Sequence, residues 1–230
     1  MWSRDGVPLS SRLKGNRVDG VLARDWLRAF ARAAYDNRGH LTILDSAIGD
    51  GDHGVNLCRG LSHVCRWLEE GDVPDSVGGV LSEAGVLLLA RVGGASGVLY
   101  GKAFQAIGAA LPTAEADPEQ FADALDAGLA VIVKLGAAAP GDKTMVDAFV
   151  PALDAFRGSC VEVRCLRRAS SVAATAARAG AESTIPLLAR KGRASYLGHR
   201  SIGYLDPGAA STELLFRSLS EVTSSVPVCA

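Results

Sequence analysis

The chain has 230 residues, 48% hydrophobic and 21% charged, with 24 Lys and Arg against 25 Asp and Glu for a formal charge of −1. That is the profile of one globular unit with a sizeable core, and without a basic excess it carries no electrostatic footprint for nucleic acid or an anionic membrane surface. Met1-Trp2-Ser3-Arg4-Asp5-Gly6 lacks the apolar core of a signal peptide, and the longest apolar runs, residues 86–90 and 129–133, are too short to span a bilayer and end at Arg91 and Lys134.

Residues 1–20 are polar, contain Gly6, Pro8 and Gly15, and read as a loose arm. Residues 21–230 read as a single all-helical domain. Leu22, Trp26, Leu27, Phe30, Ala31 and Ala34 form a first helical stripe, and Asp25 is a candidate for its cap or first turn. The short apolar stretch Leu41-Thr42-Ile43-Leu44 leads into an acidic loop. Val55, Cys58, Leu61, Val64, Cys65 and Leu68 make a second stripe that stops near Gly71. Helices follow over 76–92, from 97 to about 111, over 117–136 with Pro118 in the first turn, over 145–156 with a kink expected at Pro151, over 166–181 and over 211–224. No strand alternation is present. The expected fold is all-α, about eight helices in one antiparallel bundle, because short connections place consecutive helices side by side.

Four loops at alternate connections, 49–56, 93–97, 136–144 and 192–211, are rich in Gly, Asp, Ser and Lys. In an up-and-down bundle alternate loops share one end, so function is expected there. In the first loop Asp45, Asp50, Asp52 and His53 fall within nine residues, with Gly49, Gly51 and Gly54 among them. Like charges so close repel unless a cation neutralises them, and oxygen ligands without a thiolate suit a hard ion such as Mg²⁺. Asp and Gly are also common turn residues, so the D-G-D alone reads more readily as a solvated turn; an EF-hand is excluded because the loop lacks its closing Glu. Gly94-Ala95-Ser96-Gly97 can hold phosphate at a helix start or allow close helix crossing. Asp142 in Pro140-Gly141-Asp142-Lys143-Thr144-Met145 is a candidate cap for the helix that follows. Lys191-Gly192-Arg193-Ala194-Ser195-Tyr196 is the basic counterpart of the acidic loop; Arg193, between small neighbours, is the candidate to neutralise a phosphoryl group in transit. Five cysteines (Cys58, Cys65, Cys160, Cys165, Cys229) form neither a C-x-x-C pair nor a zinc spacing, and a reducing cytoplasm is the expected compartment.

Together L-D-x-x-I-G-D-G-D-H-G at 44–54, G-G-A-S-G at 93–97, P-G-D-K-T-M at 140–145 and K-G-R-A-S-Y-L-G-x-R-S-I-G…D-P-G at 191–208 resemble the nucleotide-binding L subunits of dihydroxyacetone kinases, over roughly residues 22–225. The resemblance implies an all-α barrel of eight antiparallel helices with ADP/ATP and two Mg²⁺ ions at one end. It implies Asp45, Asp50 and Asp52 as metal ligands, and His53, Gly54, Val55, Asn56, Ala95, Ser96, Gly136, Met145, Arg193, Gly208, Ala209 and Ala210 as nucleotide contacts. Arg193 would be the mobile residue over the phosphates. It also implies partners: a phosphotransferase-system M subunit that recharges the bound nucleotide from phosphoenolpyruvate, and a K subunit that holds dihydroxyacetone. A homodimer and a transcription regulator as further partners, and direct ATP-dependent phosphorylation of another ketose or small polyol, are the alternative expectations. The chain departs from the family pattern with Val98 for Pro, His199 for Glu and Ala210 for Thr, the last removing a hydroxyl near the nucleotide.

Overall fold

The computed structural model describes residues 16–91 and 94–225. Residues 1–15 of the expected arm, Gly93 and Cys229 lie outside the described residues. Residues 16–19 are fixed to the body: Val18 forms an antiparallel bridge with Ala116, and Asn16 donates to the Arg164 carbonyl and accepts from the Leu166 N–H.

The described residues form nine α-helices, one 3₁₀ helix and no strand: α1 Gly20–Asp36, α2 Arg38–Ile48, α3 His53–Glu70, α4 Val77–Arg91, α5 Gly94–Ala109, α6 Pro118–Gly136, α7 Val146–Val163, α8 Leu166–Ser183, a 3₁₀ helix Arg193–Ser201, and α9 Pro207–Thr223. Among them no helix is long and apolar enough to cross a membrane.

The ends follow local chemistry. Asp19, rather than Asp25, caps α1 by accepting the Leu22 N–H, and Asp25 pairs with Arg28. Asp117 and Gln120 form a reciprocal capping box at α6, with Pro118 as its first residue. Several elements differ from the sequence reading: α5 starts at Gly94, inside the expected 93–97 break, and α7 runs on to Val163, past the expected end at 156, with Pro151 inside it. Leu41-Thr42-Ile43-Leu44 is not a lead-in segment but the middle of α2, whose buried Leu41, Asp45 and Ile48 fall at helical spacing; the acidic stripe position hid the period. The last helix begins at Pro207, four residues earlier than its apolar pattern, because Asp206 caps it through the Ala209 N–H.

Side-by-side packing runs α1–α3–α4–α5–α6–α7–α8–α9 and returns to α1, while α2 lies against α3, α9 and the 3₁₀ helix. The centre is aromatic. Trp26 meets Phe104 and Phe121 edge-on with centroids 5.8 Å apart in both cases, and its indole N–H donates to the Leu215 carbonyl at 2.9 Å.

Glycines bring α4 and α5 together. A methyl group at Gly85 would stand 2.6 Å from the Gly101 carbonyl oxygen, and one at Gly78 would stand 2.6 Å from that of Gly108. This seam holds the start of α5, and with it Ser96, at a fixed place. Gly85→Ala should therefore force the two helices apart and lower the unfolding free energy by about 1–3 kcal/mol. Gly39→Ala on α2, where a methyl group meets nothing within 4 Å, should raise it by about 0.5–1 kcal/mol. Urea unfolding of both variants checks the contrast.

Candidate active site

The last turn of α2 carries Asp45. The chain then leaves the helix at Gly49, turns through Gly51 in the left-handed region (φ 75°) and enters α3 at His53. Asp45 is buried, and its Oδ2 accepts the N–H groups of Asp52 at 2.8 Å and His53 at 3.0 Å, so the first turn of α3 pins the carboxylate. No side chain fits at Gly49, where a methyl group would lie 2.1 Å from Asp45 Oδ1. One oxygen from each of Asp45, Asp50 and Asp52 lies within 4.8 Å of the others. Three closely spaced carboxylate oxygens, that of Asp45 on a carboxylate anchored by backbone amides, suit a hard divalent cation of the Mg²⁺ type.

These carboxylates form one wall of a cavity of about 190 Å³ that draws lining from all four loop regions. Ser96 comes from the first turn of α5, residues 143–145 from the approach to α7, residues 191–194 from the basic loop, and 206–208 from the start of α9. Four helices, α3, α5, α7 and α9, begin at this cavity. The positive ends of their dipoles make its interior favourable to anions. Arg193, largely exposed at the mouth, reaches Asp50 Oδ2 at 3.1 Å.

Behind the wall runs a buried polar chain. His53 Nε2 is 2.9 Å from Ser211 Oγ, and the Tyr100 hydroxyl is 2.8 Å from Ser211 Oγ and 3.1 Å from Thr212 Oγ1. Ser211 and Thr212 both donate to the Gly208 carbonyl, at 3.0 and 2.9 Å. Burial lowers the His53 pKa against the pull of Asp45 and Asp52, and burial pushes Tyr100 up to about 12.

Of the residues singled out from sequence, Asp45, Asp50, Asp52, His53, Ser96, Met145, Arg193 and Gly208 line the cavity. Gly54, Val55, Asn56, Gly136, Ala209 and Ala210 do not line it, and Ala210 lines a second cavity instead. Gly54 packs on α2, where a methyl group would be 2.4 Å from the Arg38 carbonyl oxygen. Val55 is exposed, and Asn56 is buried and bonded to Arg59. Ala95 precedes Ser96, Gly136 ends α6, and Ala209 and Ala210 are buried in α9. Asp142 does not cap α7. It accepts the Ala139 N–H at 2.9 Å, while Asp147, inside the first turn, accepts the Thr144 N–H at 2.7 Å and that of Gly141.

Sequence reasoning passed over Tyr100, Lys143 and Asp206 as site residues. Asp-Pro-Gly is a helix-start signature that marks Asp206; Tyr100 sits in an apolar helix and carries no local signal.

A model of the DAK2 domain matches residues 47–221. The chain belongs to the DAK2 domain family. Among its relatives is the ADP-binding subunit DhaL of PEP-dependent dihydroxyacetone kinase 1 from Listeria innocua, 39% identical over 200 residues that make up 87% of this chain and 95% of that protein. The ADP-binding subunit DhaL of the Escherichia coli PEP-dependent dihydroxyacetone kinase is 40% identical over 201 residues, 85% of this chain and 93% of that one. The crystal structure of the C. freundii dihydroxyacetone kinase in complex with AMP-PNP and Mg²⁺ is similar with a TM-score of 0.68 at 28% identity, covering 87% of this chain and 34% of that one. This DAK2-domain protein is thus a phosphotransferase of the kinase class.

Asp206 gives the site a pH signature. Burial pushes its carboxyl up to about 7 from 3.8, opposed by the Ala209 N–H and by Lys143. A raised carboxyl binds its proton more tightly folded than unfolded, so its contribution to stability is complete below pH 4 and is lost as pH rises through about 7. Asp206→Asn keeps the cap acceptor but cannot ionise. Unfolding free energies from urea melts at pH 5 and pH 8 should differ less in this variant than in the parent, by about 3 kcal/mol at most.

Proposed function

We propose that this DAK2-domain protein transfers a phosphoryl group by way of a tightly held ADP/ATP chelated to Mg²⁺. The observation that carries this reading is the meeting of three carboxylates and four helix N-termini at one cavity. The carboxylates ask for a cation, the helix starts ask for an anion, and a metal-chelated polyphosphate answers both.

In this reading Asp45, Asp50 and Asp52 hold two Mg²⁺ ions, which when bound supply charge neutralisation across the phosphate oxygens. The Ser96 hydroxyl and the first N–H groups of α5 and α9 face the phosphates, with the backbone at Ala95 and residues 208–210 as their frame. His53, kept neutral by burial, orients rather than charges the site, and residues 54–56 with Gly136 and Met145 frame the nucleoside. Arg193 is the catalytic cation. Its planar fork already lies at the mouth on Asp50, one side-chain reorientation from a phosphoryl group parked over the carboxylates.

A cavity of about 190 Å³ is below the ~300–1,000 Å³ of ordinary small-molecule pockets, so it favours the phosphate tail and leaves no room for an acceptor as well. The acceptor, dihydroxyacetone, is then presented by a separate K subunit, and a phosphotransferase-system M subunit recharges the nucleotide from phosphoenolpyruvate. The cyclic order of helix neighbours supports an eight-helix antiparallel barrel over residues 21–230 with this site at one end and α2 outside the ring. A cytoplasmic location accords with this chemistry.

Mass spectrometry of the ligand released by acid from protein purified in Mg²⁺ should find ADP at close to one per chain; protein free of nucleotide would refute the reading. Asp50→Asn and Asp52→Asn should each lose the retained nucleotide while folding normally, as followed by circular dichroism. Arg193→Ala should keep the nucleotide and slow phosphoryl transfer by about 10²–10³-fold in an assay reconstituted with donor and acceptor proteins.

A further inference from the structure

Between the end of α8 and the start of α9 the chain makes an excursion, residues 185–204, that carries Lys191 and Arg193 to the cavity. Its two ends meet. The Gly203 N–H donates to the Ile185 carbonyl at 2.8 Å, and the Asp206 N–H donates to Thr184 Oγ1 at 3.0 Å. One side chain from outside the excursion sits on this neck. Lys143 is only 1% exposed, and its Nζ donates to the carbonyls of Thr184 at 2.7 Å and Ile185 at 3.4 Å on the outgoing strand of the neck, and to that of Tyr204 on the returning one.

All three ammonium donors therefore go to backbone oxygens, on segments 41, 42 and 61 residues away. The outgoing carbonyls lie just past the last turn of α8, at the negative end of the helix dipole, where a cation is favoured. The backbone bears a cost for this placement. Lys143 lies in the left-handed region at φ 63°, where glycine fits with less strain, so the side chain is what the position requires. Its neighbour works in the same direction: the Asp142 carbonyl accepts the Arg190 N–H at 3.1 Å.

The geometry points to Lys143 as the latch at the neck of the 185–204 loop, a positioning residue that holds Arg193 and residues 206–208 against the cavity and thereby sets how long a nucleotide stays bound. The last clause rests on the nucleotide reading above. The latch itself does not. Releasing the Tyr204 carbonyl frees a point two residues before the Asp206 cap, so the basic loop and the start of α9 loosen together, while the metal wall, pinned by the bonds of Asp45 on α2 to the start of α3, is left in place.

Native-state hydrogen exchange, with parallel measurement of ADP release into excess unlabelled ADP, tests this. In the parent protein the Gly203 and Asp206 amides should exchange far more slowly than those of residues 193–200. In Lys143→Met they should exchange roughly tenfold faster or more, the loss expected for a buried charge-assisted bond, with the Asp52 and His53 amides unchanged and ADP release faster by a similar factor. Ser201→Ala, which removes the hydroxyl that accepts the Ala189 N–H inside the loop, should loosen residues 189–201 and leave the neck protected. A merely structural role predicts that all amides accelerate together and that ADP release measured well below each midpoint is unchanged; either result overturns the latch. Should Lys143→Met not fold, Lys143→Gln is read in the same way, and fast exchange of Gly203 and Asp206 in the parent alone refutes the proposal. A parent protein that holds no ADP counts against the nucleotide reading, while the exchange results still decide the neck.

Discussion

Everything at the cavity end of this protein answers to the mutual repulsion of Asp45, Asp50 and Asp52. Two unit charges 4 Å apart near a protein surface interact by about 4 kcal/mol, so three carboxylates held within 4.8 Å of one another need compensation on every side. The chain supplies it by three routes. The amides of Asp52 and His53 bind the buried member of the trio. The starts of four helices add positive potential from behind the cavity, and Arg193 covers Asp50 at the mouth. None of the three is a fixed counter-ion inside the cluster. The arrangement remains open to a cation from solution and tolerates an anion beside it, the balance that a metal–phosphate pair requires.

Rigidity is distributed unevenly around that constraint. On the metal side, α3 is joined to α5 and α9 by the His53–Ser211–Tyr100 chain, whose members are almost fully buried and satisfied, and α5 is joined to α4 by glycines that let backbones touch. On the cation side, the basic loop is 3₁₀ with a break at Gly198 (φ 57°), and its Arg193 and Arg200 are exposed. It depends on a few bonds at its neck rather than on a core. A stable wall that holds the phosphates and a less stable flap that brings charge to them is the expected division where ligands must both stay and react.

The sequence disclosed this end of the protein where the signals are short-range. Asp45, Asp50 and Asp52 lie within eight residues with glycines between, so their meeting needs no tertiary information beyond a tight turn. The helical count came from stripes that a soluble core imposes on α1, α3, α6 and α8. What stayed hidden depends on distant partners or on residues that break the pattern. α2 was obscured because its inward-facing position is Asp45, a charged residue where the period asks for an apolar one. Asp142 and Asp147 both lie close to the start of α7, and only the fold decides that the second, from inside the helix, takes the N–H groups of Gly141 and Thr144. Lys143 gave no sign of burial, since lysine is among the least buried residues; its environment is set by carbonyls from segments far along the chain.

The same reasoning explains why two neighbouring residues in one motif serve opposite purposes. In Asp142-Lys143-Thr144-Met145 the backbone must pass from the end of α6 to the start of α7 while bordering the cavity. Asp147 ties down the amides of the turn, which leaves the lysine no local acceptor. A buried ammonium without partners is prohibitively costly, so Lys143 can be accommodated only if the chain elsewhere offers oxygen, and the exposed C-terminus of α8 and the returning strand before α9 do so. Removing the charge therefore affects more than one bond: it takes a shared donor from carbonyls on both sides of the neck at once, and the segment that loses it is the one that carries Arg193. Local turn chemistry at α7 and the placement of the cation over the cavity are in this way a single physical problem.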